Sequence, residues 1–234
     1  MNNVREGGRQ EGSGGSEAPP ASAWVRLLRS YGPTPQNLTL FDEYVAAAVS
    51  RAKVEPIKLA TPMLEAMVTH IESKVPGSML IAGTAGDGKT YHCRALWTRL
   101  GGDAKAWAGK GNVKELPLAD GRLAVFVKDL SEFEGESSDL SMQRLEKSVL
   151  GGDDSEVVIL AANHGQVLDR LRNLGRRQGG GRHPLRTPLQ ECFVQAGPAP
   201  HRLAVFDLSR TTTRETIEEV AKAVVFAAQN RAMT

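Results

Sequence analysis

The sequence predicts an α/β fold in which helices cover both faces of a mainly parallel sheet, in three layers. Three observations lead to this prediction. Short, continuously apolar runs recur along the chain, helical stretches separate them, and a glycine-rich loop follows the first run. Continuously apolar strands are typical of parallel sheets, because both faces of such sheets are covered. A helical N-terminal segment precedes this region.

The chain has three predicted parts. Residues 1–22 are rich in Gly, Ser, Glu and Pro and contain almost no large apolar side chain, which predicts a disordered tail. Residues 23–75 form a helical segment, with helices predicted near 24–28, near 40–49 and after Thr61-Pro62. Residues 76–234 form the α/β core.

Within the core, four apolar runs are predicted strands. They are residues 78–82, 123–127, 157–162 and 203–206. Helices are predicted at 89–100, near 140–150 and after 212, where Thr212 and Glu215 form a capping box. The apolar residues of this last helix recur on one face.

The overall composition excludes several classes of protein. Hydrophobic residues make up 41% and charged residues 24% of the 234 residues, and the net charge of +2 favours no particular partner. The N-terminus lacks the apolar stretch of a signal peptide, and no apolar run is long enough to span a membrane. With two distant cysteines, Cys93 and Cys192, and no metal-binding spacing, we expect a cytoplasmic protein, although one disulfide is possible.

Residues 83–90, Gly-Thr-Ala-Gly-Asp-Gly-Lys-Thr, match the complete phosphate-binding pattern of P-loop NTPases between an apolar strand and a helix. The glycines allow successive backbone N–H groups to turn toward one anion, and the helix presents the positive end of its dipole. We therefore expect ATP and Mg²⁺ to bind here. The residues expected to contact nucleotide are Gly83, Thr84, Ala85, Gly86, Asp87, Gly88, Lys89, Thr90 and Tyr91.

Individual side chains of the loop have distinct expected roles. Lys89 is predicted to reach the β- and γ-phosphates and to act in catalysis, and the Thr90 hydroxyl is a predicted magnesium ligand. Asp87 adds a negative charge near the phosphates, although its side chain can point away from them.

A second magnesium ligand and a group that positions water are needed for hydrolysis. Asp129, after the run 123–127, is the first candidate for the ligand, and Glu132 could polarise water; alternatively, Asp129 only caps a turn. Asn163, after the run 157–162, could bind the attacking water or the γ-phosphate, or could be a turn residue. If residues 123–127 were the second strand of the sheet, the run 157–162 would be the strand that normally ends in the magnesium-binding acid, and that position would hold Asn163. Asp207, after the last run, is the third-ranked candidate for the acid.

Six arginines lie within residues 170–186, around the triplet Gly179-Gly180-Gly181, so the second half of this stretch is predicted to be a mobile loop. Solvated surface charge is one interpretation. The others are an arginine that acts on a neighbouring subunit's γ-phosphate and a contact with DNA phosphates.

The loop at 83–90, together with Asn163 between a strand and a helix, resembles AAA+ and related STAND-type ATPases, in which this Asn would be the sensor-1 residue. More narrowly, residues 82–90 and the sequence Leu-Ala-Ala-Asn-His-Gly at 160–165 resemble bacterial phosphorothioation-dependent restriction ATPases, which defend against phage. Residues 206–210, Phe-Asp-Leu-Ser-Arg, also fit that pattern. The resemblance covers roughly residues 76–228.

Two departures from the AAA+ pattern make hydrolysis less expected than binding. No apolar run ends in an adjacent Asp-Glu pair, and a helical lid domain is not expected because one helix follows residue 210. A neighbouring subunit could complete the site, as a homo-oligomer or in a larger defence complex.

Three functions therefore compete. The first is an ATPase that drives a conformational change in a DNA-linked, antiviral assembly. The second is an ATP-binding switch or scaffold with little hydrolysis, and the third is a small-molecule kinase, which would share the same loop.

Overall fold

The computed structural model describes residues 23, 42–53, 61–73, 77–132, 136–152, 154–195, 199, 202–210 and 214–229. The chain divides into two compact units, residues 1–56 and 57–234. The main described element of the first unit is helix α1 (Asp42–Ala52), which confirms the helix predicted near residues 40–49. The predicted tail, the helix at 24–28 and the cap at Thr212 lie outside the described residues.

The second unit contains the remaining described helices and strands. The helices are α2 (Pro62–Glu72), α3 (Lys89–Arg99), α4 (Ala104–Ala108), α5 (Glu136–Leu150), α6 (His164–Arg177), α7 (Arg186–Gln195) and α8 (Arg214–Gln229). The strands are β1 (Ser78–Ala82), β2 (Val113–Pro117), β3 (Leu123–Val127), β4 (Glu156–Ala162) and β5 (Leu203–Asp207). Short 3₁₀ turns, Leu130–Glu132 and Leu208–Arg210, follow β3 and β5.

The five strands form one mostly parallel sheet in the order β2-β3-β4-β1-β5. Strands β5, β1, β4 and β3 run in the same direction, and β2 alone is antiparallel to its neighbour β3. The structure thus confirms an α/β fold with a mainly parallel sheet and all four predicted strands.

Buried side chains form one hydrophobic core on each face of the sheet. Alternate residues of β1 show this division, because Leu80 packs with α5, α6 and α7 whereas Ile81 packs with α2, α3 and α4. The second core contains the rings of Trp97, Trp107 and Phe126, whose centroids lie 5.4–6.0 Å apart. Helices therefore cover the sheet from both sides, which explains why its strands are continuously apolar.

Helix α2 belongs to the unit that contains the sheet. The sequence predicted it within the helical segment 23–75 and left open whether that segment packs on the sheet. Proline occupies its first turn, as predicted, and its apolar face packs on the sheet with α3. The buried residues of α2 are Leu64, Met67, Val68 and Ile71. The structural division falls at residues 56 and 57 because this apolar face completes the second core.

Strand β2 is absent from the sequence prediction. It lies at the edge of the sheet, and its residues Val113–Pro117 are exposed or only partly buried. Its lysine, glutamate and proline are the residues expected on an edge strand, and they break the apolar pattern that identified the other strands. This missed strand makes residues 123–127 the third strand along the chain, not the second.

The segment 178–185 packs against α6. His183 and Leu185 are buried, and the backbone of this segment approaches Gly175 so closely that a Cβ there would lie 2.7 Å from the Gly181 carbonyl oxygen. The segment predicted as a mobile loop is thus anchored at two side chains, and α7 begins at Arg186.

We predict that Gly175→Ala lowers the free energy of unfolding by about 1–3 kcal/mol, because the added methyl group overlaps backbone atoms of Gly181 and His183, which must shift to make room. Gly165→Ala is the matched control in the same helix. A Cβ added at Gly165 would meet no atom within 4 Å beyond its immediate chain neighbours and its own helix, so this variant should be as stable as the wild type or more stable by up to about 1 kcal/mol. Urea unfolding of both variants checks the pair, and equal stabilities would contradict the close packing at Gly175.

Candidate phosphate-binding site at the carboxyl ends of the parallel strands

The glycine-rich loop begins where β1 ends, between the ends of two parallel neighbours. Ala82, the last residue of β1, pairs with Ala162 on β4 and with Asp207 on β5. Gly83 directly follows the end of β1, and Asn163 directly follows the end of β4. The loop therefore starts beside Asn163 on one side and Asp207 on the other.

Asp129 lies at the same end of the sheet as Gly83 and Asn163, but it follows β3, which is one strand further from β1 than β4 is. Val127 pairs with Leu160, so Asp129, two residues later, is level with the end of β4. The sequence left open whether the run 123–127 is the second strand. In the structure it is the third strand, β3, which leads to Asp129 and lies beyond β4, whereas β4 with Asn163 lies directly beside β1. This end of the sheet is the usual place for a ligand in an α/β fold.

Two glycines of the loop adopt backbone angles that other residues resist. Gly86 and Gly88 have φ values of 91° and 84°, and Gly88 precedes the first residue of α3. The Asp87 carboxylate turns back within the loop and accepts hydrogen bonds from the Thr84 N–H (2.6 Å) and hydroxyl (3.0 Å). Asp87 thus closes the loop by binding its own backbone, a role that the sequence pattern did not assign.

Lys89 is buried at the start of α3, with 8% of its surface exposed. Its ammonium group donates a 2.6 Å hydrogen bond to the Thr84 carbonyl. Burial lowers the pKa of Lys89, while the negative charges of Asp129 and Asp87 oppose that shift. Asp129 and Asp87 are therefore the acidic side chains whose charges favour the protonated form of Lys89.

Asp129 is both a turn-capping residue and a candidate metal ligand. Its Oδ1 accepts hydrogen bonds from the Ser131 N–H (2.8 Å) and hydroxyl (2.7 Å), as expected of a turn cap. Since both hydrogen bonds use Oδ1, Oδ2 is the oxygen that could coordinate a cation. Glu132 lies in the exposed 3₁₀ turn that follows.

Lys128 fixes the backbone directly before Asp129. Its N–H donates to the Asn112 carbonyl at 2.9 Å, and its buried ammonium group donates to the Trp107 carbonyl and lies 4.7 Å from the centroid of the Trp107 ring. These contacts anchor the end of β3 to β2 and α4, and they hold the Asp129 backbone in place.

Asp207 resembles Asp129 in its local turn but differs in its partners. Its Oδ1 accepts from the Ser209 N–H (3.2 Å) and hydroxyl (2.6 Å), while its Oδ2 lies 3.1 Å from His164 Nε2 and 3.0 Å from Arg210 Nε. Burial raises the pKa of Asp207, but the hydrogen bonds from Ser209 and His164 outweigh burial and lower the pKa overall. With both oxygens occupied, Asp207 fits a structural role better than metal binding.

Asn163 has a buried side-chain oxygen without a partner among the described residues. Its backbone N–H donates to Gln166 Oε1 at 3.3 Å, in the arrangement of a capping box, but the Gln166 N–H does not reach hydrogen-bond geometry with Asn163 Oδ1. A buried acceptor without a donor costs free energy, so such atoms are uncommon unless a water or ligand supplies the donor. A water molecule beside the loop would satisfy Oδ1.

The donor set fits magnesium only in the presence of phosphate oxygens. The described residues contain no group of three or more His, Cys, Asp and Glu side chains that could hold a metal ion. Magnesium commonly uses few protein ligands together with substrate phosphates, and Asp129 and the half-buried Thr90 could provide these ligands.

Acidic neighbours neutralise part of the arginine-rich stretch. Arg172 pairs with Asp169 at 2.8 Å, and Arg177 pairs with Asp139. Arg176 and Arg182 are exposed, and Arg170 and Arg186 are half-buried. Exposed charges within this stretch therefore come mainly from the end of α6 and the segment that follows it.

The two cysteines are buried and free, so they form no disulfide. Burial, with the charge of Asp129, raises the pKa of Cys93 to about 12, although the charge of Lys128 opposes the shift. Cys93 therefore stays a neutral packing residue one turn after Lys89.

No protein-family model, curated protein or solved structure matches this chain. None of the described helices combines the length and apolar character needed to cross a membrane.

We predict that Asp207→Asn lowers the free energy of unfolding at pH 7 by about 1 kcal/mol, because the charge-assisted hydrogen bonds to His164 and Arg210 weaken. The pKa of Asp207 lies below its ordinary value of 3.8 in the folded protein, so its contribution is present above pH 3.8 and is lost as the pH falls further. The difference between the unfolding free energies of the wild type and the variant should therefore be constant above pH 3.8 and should shrink as the pH falls below it. A difference that stayed constant down to the acid end would contradict this assignment.

Proposed function

We propose that this chain is a P-loop protein that binds ATP together with Mg²⁺ and hydrolyses it. The observation that carries this proposal is the loop at residues 83–90, which joins a parallel strand to a helix and has a buried lysine at the start of that helix. A buried ammonium group that donates to one carbonyl is well suited to bind an anion.

Under this proposal the phosphates lie in the loop and Lys89 transfers its hydrogen bond from the Thr84 carbonyl to phosphate oxygens. The Thr90 hydroxyl and Asp129 Oδ2 would hold the magnesium ion, which would neutralise phosphate charge. Burial lowers the pKa of Lys89, and the negative phosphates would oppose this shift, as Asp129 and Asp87 already do in part.

We propose that Asn163 positions the attacking water. Its orphan Oδ1 is an acceptor, which a water molecule can satisfy with one of its hydrogens. Glu132 could polarise the same water, although it lies in an exposed turn. Together with the neutralisation of phosphate charge by Lys89 and Mg²⁺, these groups supply the electrostatic stabilisation that phosphoryl transfer needs.

The strand order supports the finer fold proposal, a three-layer P-loop NTPase fold. The strand that ends in Asn163 lies between the loop strand and the strand that leads to Asp129, so all three groups belong to one end of the sheet. Helices on both faces agree with the three layers.

The resemblance to restriction ATPases extends the proposal to an antiviral, DNA-linked assembly or a homo-oligomer. Arg176 and Arg182, both exposed, are the side chains that could bind DNA phosphates or act on a neighbour's γ-phosphate. Stimulation of phosphate release by double-stranded DNA, lost in Arg176→Ala, would support the DNA-linked role.

A second candidate is an ATP-binding switch that hydrolyses little. The observation that favours it is the exposure of Glu132, because a carboxylate in water is a poorer base than one held in a closed site. Tight binding without phosphate release would distinguish the switch from the ATPase.

We predict that Lys89→Ala weakens binding of Mg·ATP by about 10- to 100-fold, because a hydrogen bond to a charged group is lost. Lys105→Ala is the control, since Lys105 is exposed on α4 outside the site. Calorimetric titration checks both variants. Equal affinities of the wild type and Lys89→Ala would contradict binding at this loop.

We predict that Asn163→Ala binds Mg·ATP nearly as well as the wild type but releases phosphate about 100-fold more slowly, because the water loses its positioning group. Asn173→Ala is the control, because Asn173 lies in α6, ten residues after Asn163. This variant should retain wild-type turnover in the same phosphate-release assay. If Asn163→Ala kept full turnover, Asn163 would be a turn residue only.

A further inference from the structure

An exposed tyrosine stands next to the phosphate-binding loop, and the sequence pattern expects it to contact nucleotide without defining that contact. Tyr91 follows Thr90 directly in the first turn of α3, and it is 42% exposed although it is a large ring. No hydrogen bond within the described part of the chain involves its hydroxyl group. Its exposure therefore calls for an explanation other than packing.

Two neighbours surround the ring of Tyr91. The His92 ring meets it at an angle of 86°, with the centroids 5.4 Å apart, and the Arg94 guanidinium lies 6.0 Å from its centroid. His92 is itself fixed by a 3.0 Å contact between Nδ1 and the Gly88 carbonyl. The chain thus holds an aromatic and cationic surface in a defined position.

This surface adjoins the loop itself. A Cβ placed on Gly88 would lie 4.0 Å from the Tyr91 Cβ and 3.7 Å from His92 Nδ1. Tyr91 therefore lies close to any ligand whose phosphates enter the loop.

We propose that one face of the Tyr91 ring stacks against the base of the nucleotide whose phosphates bind in the loop, with the Arg94 guanidinium over the other face. This inference rests on the proposed function. A neutral ring offers little to phosphate groups, whereas every nucleobase has a π-face that stacks on aromatic side chains. Tyr91 consequently distinguishes a nucleotide from a simple polyphosphate.

The test compares Mg·ATP with magnesium tripolyphosphate, which has the phosphates but no base. In Tyr91→Ala, the affinity for ATP should fall about 5- to 20-fold, the range of one exposed stacking contact, while the affinity for tripolyphosphate stays unchanged. Tyr91→Phe should retain the affinity for ATP, and Tyr91→Leu, which keeps the bulk without the ring, should behave as Tyr91→Ala. Calorimetric titration and a thermal unfolding scan of each variant provide the measurements.

Each other outcome has a distinct meaning. If Tyr91→Ala bound ATP as tightly as the wild type, or lost affinity for both ligands equally, the stacking role would be overturned while phosphate binding stood. If the wild type bound neither ligand, the proposed function itself would fail, and the stacking role with it.

Discussion

The parallel register of β5, β1 and β4 is the constraint on which the candidate site depends. Because Ala82 pairs with both Ala162 and Asp207, the residues that follow these strands emerge at one level. Hydrophobic cores on both faces hold this register, since a slip by one residue would move every buried side chain to the wrong face. Any change that loosens either core would therefore misplace the loop relative to Asn163.

The apolar strands, the α/β class and the glycine loop were predictable because each depends on local patterns. A buried parallel strand has a continuous apolar sequence, and the loop needs glycines at fixed positions. The edge strand β2 escaped prediction because partial exposure permits polar residues and proline there. The hydrogen bonds of Asp87 depend on backbone geometry, and the separate roles of Asp129 and Asp207 depend on partners that are distant in sequence but close in space. No sequence spacing reports either.

Asp129 and Asp207 show why two similar motifs can differ in function. Each begins an Asp-Leu-Ser turn after a strand, and each uses Oδ1 to bind the serine. The second oxygen of Asp207 is held by His164 and Arg210, whereas Asp129 interacts through its charge with Lys89. The sequence ranked Asp129 above Asp207 by position alone, and the side-chain partners now provide a physical reason for that order.

Hydrogen exchange of the backbone amides, measured by mass spectrometry with and without Mg·ATP, tests most directly whether a nucleotide binds in the loop. The account predicts slower exchange across residues 84–91, where N–H groups would bind phosphate oxygens, and weaker protection in Lys89→Ala at an Mg·ATP concentration that just saturates the wild type. Unchanged exchange across these residues at saturating Mg·ATP, or protection confined to another part of the chain, would contradict the account.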